Sequence, residues 1–215
     1  MLAARGISLC IGYIFGMFLS GYFVGKTKDV DIRKQGSGNV GTTNTLRILG
    51  MKAGVFTLIC DCIKPILAIL VVWLLFHQSY FAVDTHMLCF YAGIGTVLGH
   101  DFPFYMKFKG GKGVASSAGL MLVLFPKLFI GCLIVFVLAV GITRYVSLGS
   151  ILCGIMFPLQ MIIFAQMGWL EYTGTQLIEV QVMAVLLGAL VIFLHRANIG
   201  RLIHGTENKL SFHKK

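Results

Sequence analysis

Charged side chains are scarce in this sequence: Asp, Glu, Lys and Arg make up 12% of its 215 residues, whereas hydrophobic residues make up 57%. A soluble domain carries roughly 25% charged residues, so this composition excludes an ordinary soluble fold and indicates a polytopic membrane protein. Acidic residues are the rarest charged type, with eight against 18 Lys and Arg, and the formal net charge is +10.

Linkers and metal-binding spacings are missing as well. The chain has four prolines and no Pro- or Ser-rich stretch or compositional break, so we expect one membrane-embedded domain over residues 1–215. Its six cysteines lie in or beside apolar stretches, and Cys60 and Cys62 have neither Cys-x-x-Cys spacing nor a histidine partner. We therefore expect no disulfide framework, no metal and no cofactor.

Apolar runs, by contrast, fill the chain and predict an all-α protein with seven transmembrane helices. Residues 114–142 would reach about 43 Å as one helix, too long for a bilayer core of ~30 Å, so Pro126-Lys127 is expected to divide them. The first run resembles a signal peptide, but no small-x-small cleavage site follows, so it is expected to remain as a span. The runs cover about residues 7–24, 55–76, 87–98, 114–125, 128–142, 148–167 and 180–194, and the third is expected to begin upstream, near Tyr80.

The basic residues predict which side of the membrane each end occupies. All but three of the 18 Lys and Arg residues fall in four segments, namely residues 26–52, 107–112, 144 and 196–215. Seven spans place these segments on one face, which the positive-inside rule makes cytoplasmic, with the N-terminus outside and the C-terminus in the cytoplasm. Six spans would send the C-terminal arginines to the other side. The basic face is also expected to touch anionic lipid head groups.

Polar residues on that face are concentrated in three blocks. The first block, "GSGNVGTTNTLR", covers residues 36–47, and its glycines, hydroxyls and amides are typical of a loop whose N–H groups turn toward an anion. A helix is expected to begin near Thr42 with Arg47 about one turn in, and a helix N-terminus beside glycines is a ready anion site. A plain surface turn is the alternative interpretation.

The second block, "HDFPFYMKFKGGKGVAS", covers residues 100–116. Its glycines would let the backbone approach a ligand closely, while the ammonium groups of Lys109 and Lys112 neutralise that ligand. It is not a nucleotide phosphate loop, because Met106 and Gly113 stand where that loop needs Gly and Ser or Thr. A different phosphate-bearing ligand remains compatible with the block.

The third block, "HRANIGRLIHGTENK", covers residues 195–209. His195 and Asn198 are spaced to share one face of a helix, and Glu207 is placed to hold the arginines of the block. The arginines could instead be stop-transfer charges at a cytoplasmic helix end. A smaller polar turn on the same face carries Ser147 and Ser150.

Four more ionisable residues lie within or at the end of predicted spans. Asp61 and Lys64 are three residues apart inside the second span, where they could neutralise each other in the bundle interior. We favour a structural pair that supports the site over direct contact with a ligand. His100 and Asp101 close the third span and are interpreted as cap residues.

Together the blocks resemble the three motifs of the bacterial acyl-phosphate:glycerol-3-phosphate acyltransferases, the PlsY family. The matching runs are GSGNVGTTN at residues 36–44, GHDFP at 99–103, FKGGKGVA at 108–115, HRANIGRL at 195–202 and GTENK at 205–209. Chain length, the seven predicted spans and an RYVSL turn at residues 144–148 also match, so the resemblance covers nearly the whole chain. Thr42, where the family usually has Ala, and Ser116, where it usually has Thr, are mild departures.

The resemblance implies an enzyme of the bacterial inner membrane whose active site lies at the cytoplasmic face. It implies transfer of a fatty acyl group from acyl phosphate to the sn-1 hydroxyl of glycerol 3-phosphate, which gives lysophosphatidic acid and phosphate for phospholipid synthesis. The expected partners are these substrates and membrane lipids, with no nucleic acid. Acyl-CoA or acyl carrier protein is not expected as a direct donor, because no histidine here begins a His-x4-Asp motif.

The resemblance also assigns roles to single residues. Ser37, with neighbouring N–H groups, would hold the phosphate of acyl phosphate, and Ser37 as an attacking nucleophile is the alternative. His195 and Asn198 would orient glycerol 3-phosphate, whose hydroxyl proton would go to His195 or to the substrate's own phosphate. Glu207 would keep the third block folded. The other expected substrate-binding residues are Gly36, Gly38, Asn39, Arg47, Lys109, Gly110, Gly111, Lys112, Ser147 and Ser150.

Overall fold

The computed structural model describes residues 2–77 and 84–210, and within these residues the protein is entirely helical apart from loops and turns. This confirms the all-α prediction. Two short 3-10 turns, Ile32–Lys34 and Phe104–Met106, lie beside the first block and within the second. The α-helices of the described residues are α1 Leu2–Gly16, α2 Ser20–Lys26, α3 Thr42–Leu49, α4 Met51–Phe76, α5 Thr85–Asp101, α6 Val114–Leu124, α7 Pro126–Thr143, α8 Val146–Gln166, α9 Gly174–Leu194 and α10 Arg196–Ile203.

Five helical stretches of the described chain are long and apolar enough to cross a membrane: Leu2–Lys26, which combines α1 and α2, and helices α4, α7, α8 and α9. Helix α5 has 17 residues and α6 has 11. At 1.5 Å per residue α6 extends only about 16 Å, roughly half of a bilayer core. The seven-span count and the orientation of the termini therefore stay predictions. The expected start of the third span near Tyr80 falls outside the described residues.

Local chemistry explains several helix boundaries. Helix α6 ends at Leu124 and α7 begins at Pro126, which confirms the predicted division of the long apolar run. Proline suits the first turn of a helix, because its missing N–H would have had no intrahelical partner there. Helix α3 begins at Thr42, as predicted. Helix α5 begins after Asp84, whose carboxylate accepts hydrogen bonds from two backbone N–H groups of the first turn.

The helices form two compact units, one containing α1–α6 and the other α7–α10. In the first unit, α1 and α5 lie backbone to backbone because glycines spaced four apart face each other. A Cβ on Gly12 or Gly16 of α1 would collide with a carbonyl of α5, and a Cβ on Gly95 or Gly99 of α5 would collide with a carbonyl of α1. This is the close approach that small residues at four-residue spacing permit between membrane helices.

A small apolar core in the first unit joins the first and second blocks. Leu19 lies in a break between α1 and α2. Residues 7–24 were predicted to form one uninterrupted run, so this break is a departure from the prediction. Leu19 is buried together with Ile32, Val40 and Met106. Ile32 precedes the first block, Val40 lies within it, and Met106 lies in the second block. The core therefore packs both blocks against one region of the unit.

In the second unit, α8 and α9 approach each other through Gly154 and Gly188, because a Cβ on Gly188 would collide with the carbonyl of Gly154. Helix α9 ends at Leu194 and α10 begins at Arg196, so His195 lies at the junction of two helices. The helical spacing predicted for His195 and Asn198 corresponds to α10, which has His195 as its N-cap residue and Asn198 in its first turn. The junction turns the chain just where the third block starts.

Candidate active site

One buried side chain, Asn44, folds the first block. Its Nδ2 donates to the carbonyl oxygens of Ile32 at 3.1 Å, Gln35 at 3.1 Å and Asn39 at 2.9 Å. Its Oδ1 accepts a hydrogen bond from the N–H of Ser37 at 2.9 Å. The amide thus uses both its donor and its acceptor groups inside the loop. The sequence pattern indicates no role for Asn44, because these contacts form only when the loop closes back on α3.

Ser37 occupies the exposed part of this loop, between two glycines whose φ angles, +60° at Gly36 and +71° at Gly38, are those that glycine adopts most easily. The N–H groups of Ser37 and Gly38 are both engaged within the loop, and the N–H of Gly41 donates to the Asn39 Oδ1 at 2.8 Å. These backbone donors, which were expected to turn toward an anion, instead hold the loop in shape. The exposed side chain of Ser37 is what the loop presents.

The N-terminus of α3 offers other donors. Gly41 precedes the helix and has no side chain with which to cap it. The first N–H groups of a helix have no intrahelical partner, and they carry partial positive charge. The hydroxyl of Thr42 is buried and makes no hydrogen bond with a described residue. Arg47 is exposed in the last turn of the same helix. These groups match an anion-binding helix start.

The second block folds back onto the C-terminal end of α5. The N–H of Gly110 donates to the Asp101 carbonyl at 3.0 Å, and the N–H of Gly111 donates to the His100 carbonyl at 2.9 Å. A Cβ on Gly110 would collide with the His100 carbonyl, and one on Gly111 would collide with Nε2 of the His100 ring. The glycines thus allow the loop to approach α5, whereas the sequence predicted a close approach to a ligand. Lys112, which follows directly, is half-buried.

His100 and Asp101 are buried in the first unit, so the interpretation of them as interfacial caps is corrected. Nδ1 of His100 lies 2.7 Å from Nζ of Lys64, and that ammonium group forms an ion pair with Asp61 at 3.0 Å. The Asp61–Lys64 contact was predicted from spacing, but the contact with His100, 36 residues further on, has no local signal. The Asp101 carboxylate makes no hydrogen bond with a described residue and packs against Gly113, just before α6.

The third block is organised around Glu207. Its carboxylate accepts hydrogen bonds from Nδ2 of Asn198 at 2.9 Å and from Nε of Arg201 at 2.7 Å. His195 is buried, and its Nδ1 lies 2.7 Å from the carbonyl of Val191. A carbonyl can only accept, so Nδ1 carries the proton and Nε2 of the neutral ring keeps a lone pair. The block therefore holds a fixed amide, a fixed guanidinium and an imidazole of defined tautomer.

The turn that carries Ser147 and Ser150 contacts the third block. Burial raises the pKa of Glu207, but the hydrogen bonds that the carboxylate accepts outweigh burial and hold the pKa below its ordinary value. The neighbouring Ser147 hydroxyl contributes to this lowering, although it reaches hydrogen-bonding geometry with no described residue. The Ser150 hydroxyl donates to the carbonyl of Val146, one turn earlier in α8, at 3.0 Å. The N–H of Leu210 donates to the Arg144 carbonyl at 2.7 Å and closes the chain onto this turn.

The predicted site residues thus fall into two groups. The first and second blocks share a core in the first unit, and the third block contacts the Ser147 turn in the second unit. Each group contains cations and neutral hydrogen-bond donors, a combination suited to phosphate. Within the described residues no group of three or more His, Cys, Asp or Glu side chains could hold a metal ion. The cations of the first group are Arg47 and Lys109, which are exposed, and the half-buried Lys112.

Comparison with known proteins identifies this arrangement. The family model described as glycerol-3-phosphate acyltransferase matches residues 6–205. The glycerol-3-phosphate acyltransferase of Trichlorobacter lovleyi is 40% identical over 197 residues, 92% of this chain and 93% of that protein. The corresponding protein of Clostridioides difficile is 41% identical over 206 residues, 95% of each chain.

Solved structures agree with this match. The crystal structure of PlsY, an integral membrane glycerol 3-phosphate acyltransferase, in its glycerol 3-phosphate form aligns with a TM-score of 0.80 and 33% identity over 96% of each chain. Its lysophosphatidic acid form aligns with a TM-score of 0.77 and 32% identity, covering 97% of this chain and 96% of that one. The sequence and structural matches both extend over nearly all of the chain, which therefore belongs to the glycerol-3-phosphate acyltransferase family of the PlsY type.

Proposed function

We propose that this protein transfers a fatty acyl group from acyl phosphate to the sn-1 hydroxyl of glycerol 3-phosphate and releases lysophosphatidic acid and phosphate. The carrying observation is that the family model matches residues 6–205, a region that includes all of the first and second blocks and residues 195–205 of the third. The structural relatives were solved with glycerol 3-phosphate and with lysophosphatidic acid, the acceptor and the product of this reaction.

The chemistry needs little from the protein beyond positioning and charge. An acyl phosphate is a mixed anhydride, so its acyl carbon is already activated. The acceptor hydroxyl oxygen forms the new ester bond with that carbon, the bond from the carbon to the phosphate oxygen breaks, and phosphate leaves with the electron pair. The hydroxyl proton passes to a base. Orientation of the two substrates and stabilisation of the developing charge supply most of the rate.

Two phosphate groups must be held close together despite their mutual repulsion. The Ser37 side chain and the uncapped N-terminus of α3 bind the phosphate of acyl phosphate. Arg47 and Lys112 bind the phosphate of glycerol 3-phosphate, because charge-assisted hydrogen bonds to phosphate are the strong ones. Lys109, exposed beside the glycine turn, adds positive charge at the mouth of the site. This assignment is supported by exposure and by the motifs that carry the residues.

The third block orients the acceptor. His195 and Asn198 hold glycerol 3-phosphate, and Glu207 fixes the Asn198 amide through the hydrogen bond described above. Since Nδ1 of His195 donates to a backbone carbonyl, Nε2 is the ring nitrogen that would accept the hydroxyl proton. The phosphate of the substrate is the alternative acceptor.

We propose that the chain crosses the bacterial inner membrane seven times with the blocks on the cytoplasmic side. Cysteines substituted for Ser37, Lys109 and Thr206 are then labelled from the cytoplasmic side, and one at Ser79, which lies outside the described residues, is labelled from the exterior. Lys109 is preferred to Gly110 as a probe, because a Cβ at Gly110 collides with the His100 carbonyl. Labelling of residue 206 from the exterior contradicts this topology.

The test of the activity uses purified protein in detergent micelles, where transport across a membrane cannot contribute. Acyl phosphate and glycerol 3-phosphate are expected to yield lysophosphatidic acid acylated at sn-1, identified by mass spectrometry and NMR. In parallel reactions, acyl phosphate is replaced by acyl-CoA or by acylated acyl carrier protein, each carrying the same acyl chain. These reactions are expected to yield no product. Product from either thioester but not from acyl phosphate contradicts the proposed donor, and acylation at sn-2 contradicts the proposed regiochemistry.

A further inference from the structure

We propose that a buried network of Ser20, Asp61, Lys64 and His100 positions the glycine turn of the second block, and that Lys64 and His100 are positioning residues for acyl transfer. The inference rests on the proposed function, since it assigns these residues the task of placing Lys112 for the substrate phosphate. As positioning residues, they are proposed to act through the turn and not through contact with a substrate.

The network begins with an ion pair inside the first unit. Nζ of Lys64 lies 3.0 Å from Oδ1 of Asp61, and the two side chains are 6% and 1% exposed. Ser20 donates its hydroxyl hydrogen to the same carboxylate oxygen at 3.0 Å. Nζ of Lys64 also donates to the Phe18 carbonyl at 3.1 Å, in the break between α1 and α2. The ammonium group is therefore fixed by contacts from several directions.

The contact between this ammonium group and His100 defines the protonation and the tautomer of the His100 ring. Nζ of Lys64 lies 2.7 Å from Nδ1 of His100. An ammonium group has hydrogens to donate and no lone pair, so Nδ1 must be the acceptor. The ring is consequently neutral, and its proton is on Nε2. The network sets both the orientation and the tautomer of the imidazole.

The opposite edge of the same ring meets the second block. Nε2 of His100 lies where a side chain on Gly111 would begin, so a Cβ at that position would collide with it. The Gly111 N–H donates to the His100 carbonyl, and the Gly110 N–H donates to the next carbonyl along, that of Asp101. The ring therefore contacts Lys64 at Nδ1 and packs against Gly111 at Nε2. Since Lys112 is the next residue, the ring orientation determines where its backbone lies.

Stability alone is a poor explanation for this network. A buried ion pair must recover the large free energy of desolvation, and well-packed apolar residues of similar volume often stabilise a protein equally well or better. The Asp61–Lys64 pair lies among the helices α4, α1 and α5, where apolar packing would suffice to hold them together. Its polar contacts lead instead through one imidazole to the glycine turn, which is the arrangement expected of a positioning device.

The test compares the wild type with the double variant Asp61→Asn/Lys64→Met, which removes both charges and leaves neither partner alone. We expect the double variant to fold with a Tm close to that of the wild type. We expect its KM for glycerol 3-phosphate to rise by about tenfold or more, because small displacements of binding groups are costly, while its KM for acyl phosphate changes less. Hydrogen–deuterium exchange is expected to become faster in the peptide that covers residues 109–113.

The matched control is Thr96→Val. Thr96 is fully buried on α5, one turn before His100, and its hydroxyl donates to the Ala92 carbonyl at 2.9 Å rather than to the network. Wild-type KM and wild-type exchange are expected for this variant. A second comparison keeps the inference testable should the double variant fail to fold. His100→Asn keeps an acceptor for Lys64 and is expected to retain more glycerol 3-phosphate affinity than His100→Ala.

The outcomes separate this inference from the proposed function. No acyl transfer by the wild type contradicts the proposed function, and the exchange measurement still decides whether the network positions the turn. An active wild type with an equally active, folded double variant and unchanged exchange at residues 109–113 overturns the inference. Equal losses in His100→Asn and His100→Ala overturn it as well.

Discussion

The ion pairs Asp61–Lys64 and Arg201–Glu207 differ in how far they are exposed to solvent. In the first unit, the side chains of Lys64 and Asp61 are 6% and 1% exposed, and the ammonium group contacts a carboxylate, an imidazole and a backbone carbonyl. In the second unit, the Arg201 side chain is 36% exposed and that of Glu207 is 7% exposed, with Nε and Oε2 2.7 Å apart. Water can replace a lost partner of Arg201, but it cannot easily replace one deep among apolar helices.

This difference shows two ways of holding a phosphate-binding block in place. The buried pair fixes the second block through several buried hydrogen bonds, because an unsatisfied charge in an apolar interior is very costly. The partly exposed pair fixes the third block through one carboxylate that can still be protonated from solution. The first support is expected to fail abruptly when one partner is removed, and the second is expected to respond gradually to pH.

The largest effect is expected from breaking the buried pair on one side only. Lys64→Met leaves the Asp61 carboxylate buried and unpaired, and we expect it to lower the free energy of unfolding by about 3–5 kcal/mol. Arg201→Met, the matched change in the other pair, is expected to cost about 1 kcal/mol or less, because solvent screens that pair. Thermal unfolding in detergent measures both. Equal losses in the two variants would remove the distinction between the supports.

Next in size is the effect of Ser37→Ala on the rate. Removal of one donor to a reacting oxyanion costs roughly 10²-fold in rate, and we expect a loss of that order without abolition of acyl transfer. Kinetics with acyl phosphate and glycerol 3-phosphate measure this loss. Mass spectrometry of the wild type mixed with acyl phosphate alone is expected to show no acyl adduct. A stoichiometric adduct on Ser37 that glycerol 3-phosphate discharges would prove direct transfer wrong.

Arg47→Ala and Lys112→Ala should weaken glycerol 3-phosphate use more than they reduce the amount of protein. Each removes a charge-assisted hydrogen bond worth on the order of 1.5–3 kcal/mol, equivalent to a loss of about tenfold to 100-fold in kcat/KM. Lys52→Ala is the control, because Lys52 is an exposed cation at the start of α4 to which no role is assigned. Near-normal kinetics of either site variant would contradict its assignment.

The smallest effect concerns Glu207 and depends on pH. Its folded-state pKa lies below the ordinary value near 4.5, so the carboxylate stabilises the fold above that value and loses this contribution as the pH falls through the folded pKa. Glu207→Gln is expected to lower stability by about 1 kcal/mol at neutral pH. The Tm difference between wild type and variant should shrink as the pH is lowered below that value. A constant difference would mean that Glu207 acts through packing instead of charge.

Local signals predicted much of this molecule. Pro126 divides the long apolar run, Thr42 starts a helix, and the three-residue spacing of Asp61 and Lys64 predicts their contact. Each of these features depends on neighbours in sequence. The family motifs located Ser37 and Glu207 in their blocks before any geometry was known.

Contacts between distant residues were not predictable in the same way. His100 is recognised as a buried member of a network only once α4 and α5 are packed together, since its partner Lys64 is 36 residues away. Asn44 folds the first block only because the loop returns to it, and hydrogen bonds to three carbonyls leave no pattern in sequence. The break at Leu19 lies within an apolar run whose composition does not change there.

The glycine contacts between α1 and α5 fix the register of the two helices relative to each other. Since each glycine seats against a carbonyl of the other helix, we expect α1 to change its register along α5 only in steps of four residues, about 6 Å. Gly16 seats against the Thr96 carbonyl and next to the backbone nitrogen of His100, two residues before the Phe18 carbonyl that Lys64 contacts. The backbone contacts between α1 and α5 therefore hold the Phe18 carbonyl and His100, two of the groups that the Lys64 ammonium contacts, in a fixed register relative to each other.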